Sequence, residues 1–546
     1  MKPPAPRPGQ ALALTRRLSQ CPDPVDLYAA VSGGGSAPGT VLLETAEVPG
    51  GERRRGGKSL VVARSALSIT SRGREVTARA LDENGVALLP WLAGSVATEV
   101  TTEGEQITWT FPEQYPSAEE ARLKIPSPVD VARALLRLEE TSHQQAPLLV
   151  GAFAYDLLEC FERLPQAPTD PLGWPDLELW LPDRLVWLDH EHQAATVVAF
   201  LFGGGGDPSR AYGEAAASIV ELAEVVQAPH QGGAGAGSRA EGRGEAPPRA
   251  GAERPRTLPP STPIDINTDL DDAAYADLVR HLKQHIVAGD LFQIVPSRSF
   301  SVPCPDPLAA YRTLRGLNPS PYMYFLAGES GVLLGSSPET AIRVDGASRR
   351  VHIRPIAGTR PRGRLPGGGL DPDLDSRLEA DLRLDEKELA EHMMLVDLAR
   401  NDVARVSEPG TRTVEQLLTV ERYSHVMHLV SHVSGTLRAD LDPLHAYVAT
   451  MNMGTLTGAP KVRAAQILRR HEATRRGPYG GAVGYVTSDG DLDSAIVIRS
   501  AVVQDGVAHV RAGAGVVYDS DPDAEARETS RKARAVIEAI RSSRCR

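Results

Sequence analysis

The chain has 546 residues, a mass of 58.4 kDa and a net charge of −11, with 41% hydrophobic and 24% charged residues. That balance describes a globular protein with more than one core and argues against one built around a nucleic-acid backbone. No run of about eighteen apolar residues offers a membrane span, and the start lacks the apolar stretch of a signal peptide. Cys21, Cys160, Cys304 and Cys545 are isolated, giving neither a disulfide framework nor a zinc site, so a cytoplasmic setting is expected.

In chain order, apolar runs predict strands at 40–44, 59–63 and 195–200, with helices over 129–138 and 211–226. Residues 227–263 are rich in Gly, Ala, Pro, Glu and Arg and read as a flexible linker. A helix over 272–288 should stop at Gly289, followed by strands at 292–295, 322–326 and 351–356. A long helix is expected over 376–400, then strands at 482–487, 495–502 and 508–512, and a closing helix after Asp521-Pro522. Strand pairs beside helices without regular alternation predict an α+β fold with antiparallel sheets. The division is an N-terminal region 1–226, the linker 227–263 and a catalytic region 264–546. Arginines cluster at Arg53 to Arg55, at Arg469 with Arg470, and at Arg475 with Arg476, and acidic neighbours make a solvated surface the simplest reading.

Two acidic helices stand out. Glu388 and Glu391 are three apart and share one helix face, while Glu525, Glu528 and Lys532 line another. A solvated surface explains such faces in most proteins. The sharper reading has one carboxylate from each helix holding Mg²⁺. The loop from Gly454 to Lys461 lacks phosphate-loop spacing, and Val462 stands where the metal-binding hydroxyl would be. Gly513, Ala514 and Gly515 follow a strand and could present N–H groups to an anion. Gly480, Gly481 and Gly484 suit close strand packing. His425, His428 and His432 sit in a strand-like segment where neighbours three apart face opposite ways, which disfavours zinc and leaves one useful imidazole. Arg499 ends an apolar strand and needs either an internal carboxylate or a substrate carboxylate as its partner.

The segment Arg354-Pro355-Ile356-Ala357-Gly358-Thr359-Arg360 resembles the chorismate-binding signature of the anthranilate synthase family. So do Asp290-Leu291-Phe292-Gln293-Ile294-Val295-Pro296-Ser297-Arg298, Leu395-Val396-Asp397-Leu398-Ala399-Arg400-Asn401-Asp402, Met451-Asn452-Met453-Gly454 and Gly458-Ala459-Pro460-Lys461-Val462-Arg463-Ala464. Weaker similarity covers Leu42-Leu43-Glu44-Thr45-Ala46 and Gly151-Ala152-Phe153-Ala154-Tyr155-Asp156-Leu157. The resemblance implies two packed antiparallel β-sheets flanked by helices, a four-layer α/β/β/α sandwich. It also implies amination of chorismate by ammonia to aminodeoxyisochorismate, then pyruvate elimination to anthranilate. Glu391 and Glu528 resemble the Mg²⁺ ligands, Glu388 a general acid, His428 the base, and Gln293 the residue that orients ammonia. Substrate binding carries over to Gly358, Thr359, Thr455, Tyr479, Arg499, Gly513, Ala514, Gly515 and Lys532.

The family's tryptophan feedback site resembles Leu43, Glu44, Thr45, Lys58, Pro321, Tyr322 and Met323, with Thr45 standing where the family has serine. No glutaminase elbow surrounds any cysteine. The resemblance therefore implies ammonia from a separate glutamine amidotransferase subunit and an assembly of two large and two small subunits. Ala357 disfavours aminodeoxychorismate synthase, and Gln293 disfavours isochorismate or salicylate synthases. An aminodeoxyisochorismate synthase of secondary metabolism shares most of these motifs.

Overall fold

The computed structural model describes residues 6–45, 57–166, 169–205, 207–228, 266–365, 369–423 and 426–544. His425, Cys545, Arg53 to Arg55 and nearly all of the 227–263 linker lie outside the described residues.

Two long strands, Lys58–Arg72 and Leu177–Asp189, pair antiparallel from Lys58 opposite Asp189 to Ser71 opposite Leu177. Their register shifts between Val62 and Leu67, so the two ends of the ribbon enter different sheets. At one end, Thr40–Glu44 joins and passes to Tyr322–Gly328, Gly331–Ser337, Ser500–Gln504, Val507–Gly513 and Ser297–Pro303. At the other, Leu148–Phe153 leads to Ala482–Thr487, Leu492–Ile496, Thr340–Asp345, Arg350–Ile353 and Val426–Thr436. Each sheet therefore mixes strands from before and after the linker.

Alternation along the strands builds the layers. Leu60 and Val62 face Leu67, Val150, Val483 and Ala495 between the sheets. Leu42, Val61, Phe325 and Leu334 turn the other way, against Tyr311 and Leu314 of helix Pro307–Leu317 and Val536 and Ile540 of helix Pro522–Ser543. Across the second sheet, Ile353 and Val433 pack on Val396, Ala399 and Val403 of helix Glu386–Val406. The result is the antiparallel α/β/β/α arrangement.

Several elements divide where the sequence predicts one. The helix expected over 376–400 is two, Pro372–Leu384 and Glu386–Val406, because Asp385 leaves helical geometry to cap the second by accepting from Glu388 N–H. The strand at 351–356 breaks between Arg350–Ile353 and Ile356–Pro361, at a proline with no N–H to donate. The strand at 495–502 breaks into Leu492–Ile496 and Ser500–Gln504, and Arg499 in the gap has φ +50°. Arg499 therefore does not end a strand. Only Gln293–Ile294 is extended within 292–295, and the helix at 129–138 closes at Leu135. Gly289 stops its helix with φ +81° as expected.

Arg469, Arg475 and Arg476 also differ from the solvated surface expected of them. Arg469 bonds Asp156 at 2.8 Å, and buried Arg476 pairs with buried Glu472 at 2.7 Å. Their acidic neighbours are partners in the interior, where a lone charge would be costly.

Phe325 is fully buried, with ring centroids 5.4 Å from Tyr28 and 5.7 Å from Tyr311. Phe325→Ala should cost about 3–5 kcal/mol in urea unfolding, and a loss below about 1 kcal/mol would contradict this packing.

Candidate functional site

Glu388 and Glu391 occupy the start of helix Glu386–Val406, and Glu525 and Glu528 the start of helix Pro522–Ser543. Both helices begin at a capping aspartate, and their N-terminal partial charge favours the first-turn acids Glu388 and Glu525. The two acidic ends lie within electrostatic reach of each other. Burial, then the charges of Glu388 and Glu528, push the Glu391 carboxyl above its ordinary value. Glu528 is the opposite case: burial works to raise it, but Lys532, at 2.9 Å, and the cations Arg531 and Arg499 hold it low. Glu525 is buried and raised, with Glu528 among the causes. This hard, all-oxygen donor set with its mutual repulsion fits a Mg²⁺ ion.

Gln293 approaches from the short strand opposite Gly458–Ala459, and its Nε2 donates to Glu391 Oε1 at 3.2 Å. Its buried Oε1 has no hydrogen-bond partner among the described residues. Gly515 lies against both side chains: a Cβ there would sit 2.8 Å from Gln293 Nε2 and 3.7 Å from Glu391 Oε1. Gly358, at φ +79°, faces Glu388, whose Oε2 would be 3.4 Å from an added Cβ. Tyr479 Oη would lie 2.9 Å from a Cβ on Gly513, whose carbonyl accepts from Lys532 Nζ at 3.0 Å. Ala514 N–H is already given to Pro296 O at 3.2 Å and Tyr275 Oη at 3.3 Å, so it is not free for an anion.

His428 sits on strand Val426–Thr436 opposite Thr359, with Nδ1 2.9 Å from Thr359 Oγ1. Burial, and the nearby Arg499 charge, lower its pKa, so the ring favours the neutral form. Arg499 makes no ion pair or hydrogen bond through its guanidinium among the described residues. Of the two partners the sequence left open, no internal carboxylate takes the place. Glu528 acts on it only through space.

A family model described as "chorismate binding enzyme" matches residues 93–538. Component 1 of anthranilate synthase from Vibrio cholerae is 45% identical over 96% of both chains. The Escherichia coli component is 46% identical over 93% of this chain and 92% of its own. The chain belongs to the anthranilate synthase component 1 family. The pyocyanine-specific component from Pseudomonas aeruginosa is 48% identical over 88% of this chain and 87% of its own. The solved anthranilate synthase component I of Streptococcus pneumoniae superposes with a TM-score of 0.63 at 26% identity, covering 90% and 93% of the two chains. Membership makes the chain a chorismate-utilising lyase of the anthranilate synthase class.

Two further residues stand near these side chains with no role assigned from the motifs, Glu339 and Arg360, the last residue of the 354–360 segment. Glu339 accepts from Thr455 Oγ1 at 3.1 Å, and burial pushes its carboxyl up to about 7. Its signal is only an acid after Ser-Pro, at the end of a strand. Arg360 gathers Asp381 and Asp385, each at 2.6 Å, and Glu388 at 3.1 Å. The Gly454–Thr457 turn is no phosphate loop, since Lys461 is spent on Asp402 at 2.6 Å and Thr450 O at 2.7 Å.

The tryptophan residues divide between two faces. Continuing the strand registers sets Thr45 opposite both Lys58 and Tyr322 at one end of three strands. Glu44 and Met323 point to the helix side, where Tyr311 Oη donates to Glu44 at 2.6 Å and Arg315 pairs with it at 3.1 Å. Tyr322 Oη is held by Asp493 at 2.8 Å.

Gly515→Ala must move the Gln293 amide. Turnover should fall about 10²-fold while the melting temperature stays close to the parent's, because small displacements of a positioning group are costly. Unchanged turnover would contradict the contact.

Proposed function

We propose that the chain converts chorismate and ammonia to anthranilate in a Mg²⁺-dependent reaction regulated by tryptophan. The observation that carries this reading is that the Glu391 and Glu528 carboxylates lie within electrostatic reach of each other, and Glu528 within reach of Arg499, a cation with no ion-pair or hydrogen-bond partner among the described residues.

Chorismate is a dicarboxylate, and the unpartnered Arg499 guanidinium, Lys532 and the Tyr479 hydroxyl suit its carboxylates. Gly358, Gly513 and Gly515 leave room where any side chain would crowd Glu388, Tyr479 or Gln293. Glu391 and Glu528 would hold the metal. When bound, Mg²⁺ supplies positive charge that offsets their repulsion and the substrate's own negative charge.

Gln293 receives ammonia: its unpartnered Oε1 can accept an N–H, and an amide cannot serve as a base toward water. The hydroxyl leaving carbon 4 needs a proton. Glu339, whose carboxyl burial pushes up to about 7, suits that task, while Glu388 is engaged by Arg360 at 3.1 Å. His428, kept neutral by burial and oriented by Thr359, then takes the carbon 2 proton as pyruvate departs. Ammonia comes from a separate glutaminase subunit, in an assembly of two large and two small subunits. Tryptophan binds at the strand ends that bring Thr45, Lys58, Pro321 and Tyr322 together, with Glu44 and Met323 shaping the site from behind.

Purified protein given chorismate, Mg²⁺ and ammonium should produce anthranilate fluorescence with no added enzyme; accumulation of an aminated, non-aromatic product would overturn the reading. A protonated Glu339 and a neutral His428 predict a bell-shaped pH profile of turnover. The alkaline limb falls as pH rises through about 7, where Glu339 ionises. The acid limb lies below the ordinary histidine range. Glu339→Gln should lose about 10²–10⁴-fold in turnover together with the alkaline limb; a surviving limb would assign it elsewhere. Lys58→Ala should weaken tryptophan inhibition about tenfold or more, as for loss of a charged hydrogen bond, without changing uninhibited turnover. Inhibition unchanged in that variant would move the site.

A further inference from the structure

We infer that His281, His285 and His471 form a second metal site, for a borderline divalent ion of the Zn²⁺ class, separate from the carboxylate centre. His281 and His285 are one turn apart on helix Asp272–Val287, and His471 closes helix Lys461–His471. Each residue can offer a ring nitrogen such that all three lie within 4.8 Å of one another. The ring centroids are 4.7, 5.9 and 6.0 Å apart. Tetrahedral Zn–N bonds of about 2.0–2.1 Å put donors about 3.4 Å apart, so the rings need to close by no more than about 1.4 Å.

The surroundings favour a ligand role over simple ring packing. Asp290 Oδ2 lies 2.8 Å from His285 Nδ1, and Arg463 pairs with Asp290 at 2.8 Å. An ionised carboxylate can only accept, so Nδ1 carries the proton and the Nε2 lone pair is left for a metal. Imidazole donors select Zn²⁺, Ni²⁺ or Cu²⁺ over Mg²⁺, which the carboxylates suit. His281 is exposed, so water can complete the coordination. The cluster of His352, Glu415 and His432 differs, because its atoms are spent on each other at 2.9 and 3.0 Å.

The site would tie together two helices that hold the Gln293 strand. Val279 and Leu282 of one helix and Ile467 and Leu468 of the other share a core with Leu291 and Ile294, on either side of Gln293. The ion would thus clamp the outer ends of a unit whose inner contacts carry an active-site residue.

The test uses the full chain with Mg²⁺ in millimolar excess to fill the carboxylate centre. Zn²⁺ titrated by calorimetry should bind with a stoichiometry of one per chain and raise the melting temperature. Both effects should vanish in His281→Ala and His471→Ala, and Asp290→Asn should weaken binding roughly 10- to 100-fold. Without Zn²⁺, the Mg²⁺-supported turnover of all three variants should match the parent. Co²⁺ added to the parent protein should give the visible bands of a nitrogen-ligated low-coordinate ion, a readout that needs no variant to fold. Absence of those bands, or undiminished Zn²⁺ binding in His471→Ala, would overturn the site.

Discussion

Like charge brought together from two distant parts of the chain is the constraint around which this molecule is organised. Glu391 and Glu528 lie in the second turns of helices anchored in different cores, one by Val396, Ala399 and Val403 and the other by Val536, Ile537 and Ile540. Those anchors hold the helix starts together although Glu528 raises the pKa of Glu391. Lys532, at 2.9 Å, stabilises the Glu528 carboxylate locally. The remaining imbalance is what a divalent cation would relieve.

The cationic side is arranged with equal economy. Arg499 sits in a backbone gap at φ +50° between two strands, a conformation that costs energy for a residue with a side chain. It meets no carboxylate there, while other interior arginines such as Arg476, Arg511 and Arg298 are paired or hydrogen-bonded. Among the described residues the Arg499 guanidinium has no hydrogen-bond or ion-pair partner, which supports the proposed role of holding a substrate carboxylate. The deeper Glu472 network, holding Arg476, Arg511 and Ser297, braces the strand from which Gly513 emerges.

Much of this was legible in the sequence, for identifiable reasons. Alternating apolar runs such as Thr40–Glu44 and Ala482–Thr487 become strands because one face meets the other sheet and one meets helices or neighbours. The paired acids of the two helices, Gln293 and His428 were found from motifs, and the fold gathers them. What was missed depends on contacts between distant residues. Asp385 breaks a helix because its side chain caps the next one, which periodicity alone does not reveal. Arg469 and Arg476 look like surface until Asp156 and Glu472 are seen opposite them. Glu339 carries no unusual spacing, and only burial beside Thr455 makes its carboxyl distinctive. The linker at 227–263 suggested a division of the chain, yet Thr40–Glu44 with Tyr322–Gly328 and Leu148–Phe153 with Ala482–Thr487 form sheets across it.

A divalent cation shared by two helices is the feature on which the proposed chemistry rests. Crystals of the protein grown with Mn²⁺ in place of Mg²⁺, and measured for the anomalous scattering of manganese, test it most directly. A manganese peak is expected between the Glu391 and Glu528 carboxylates, with Arg499 on the substrate side. A peak elsewhere, with those two carboxylates turned to solvent, would contradict it.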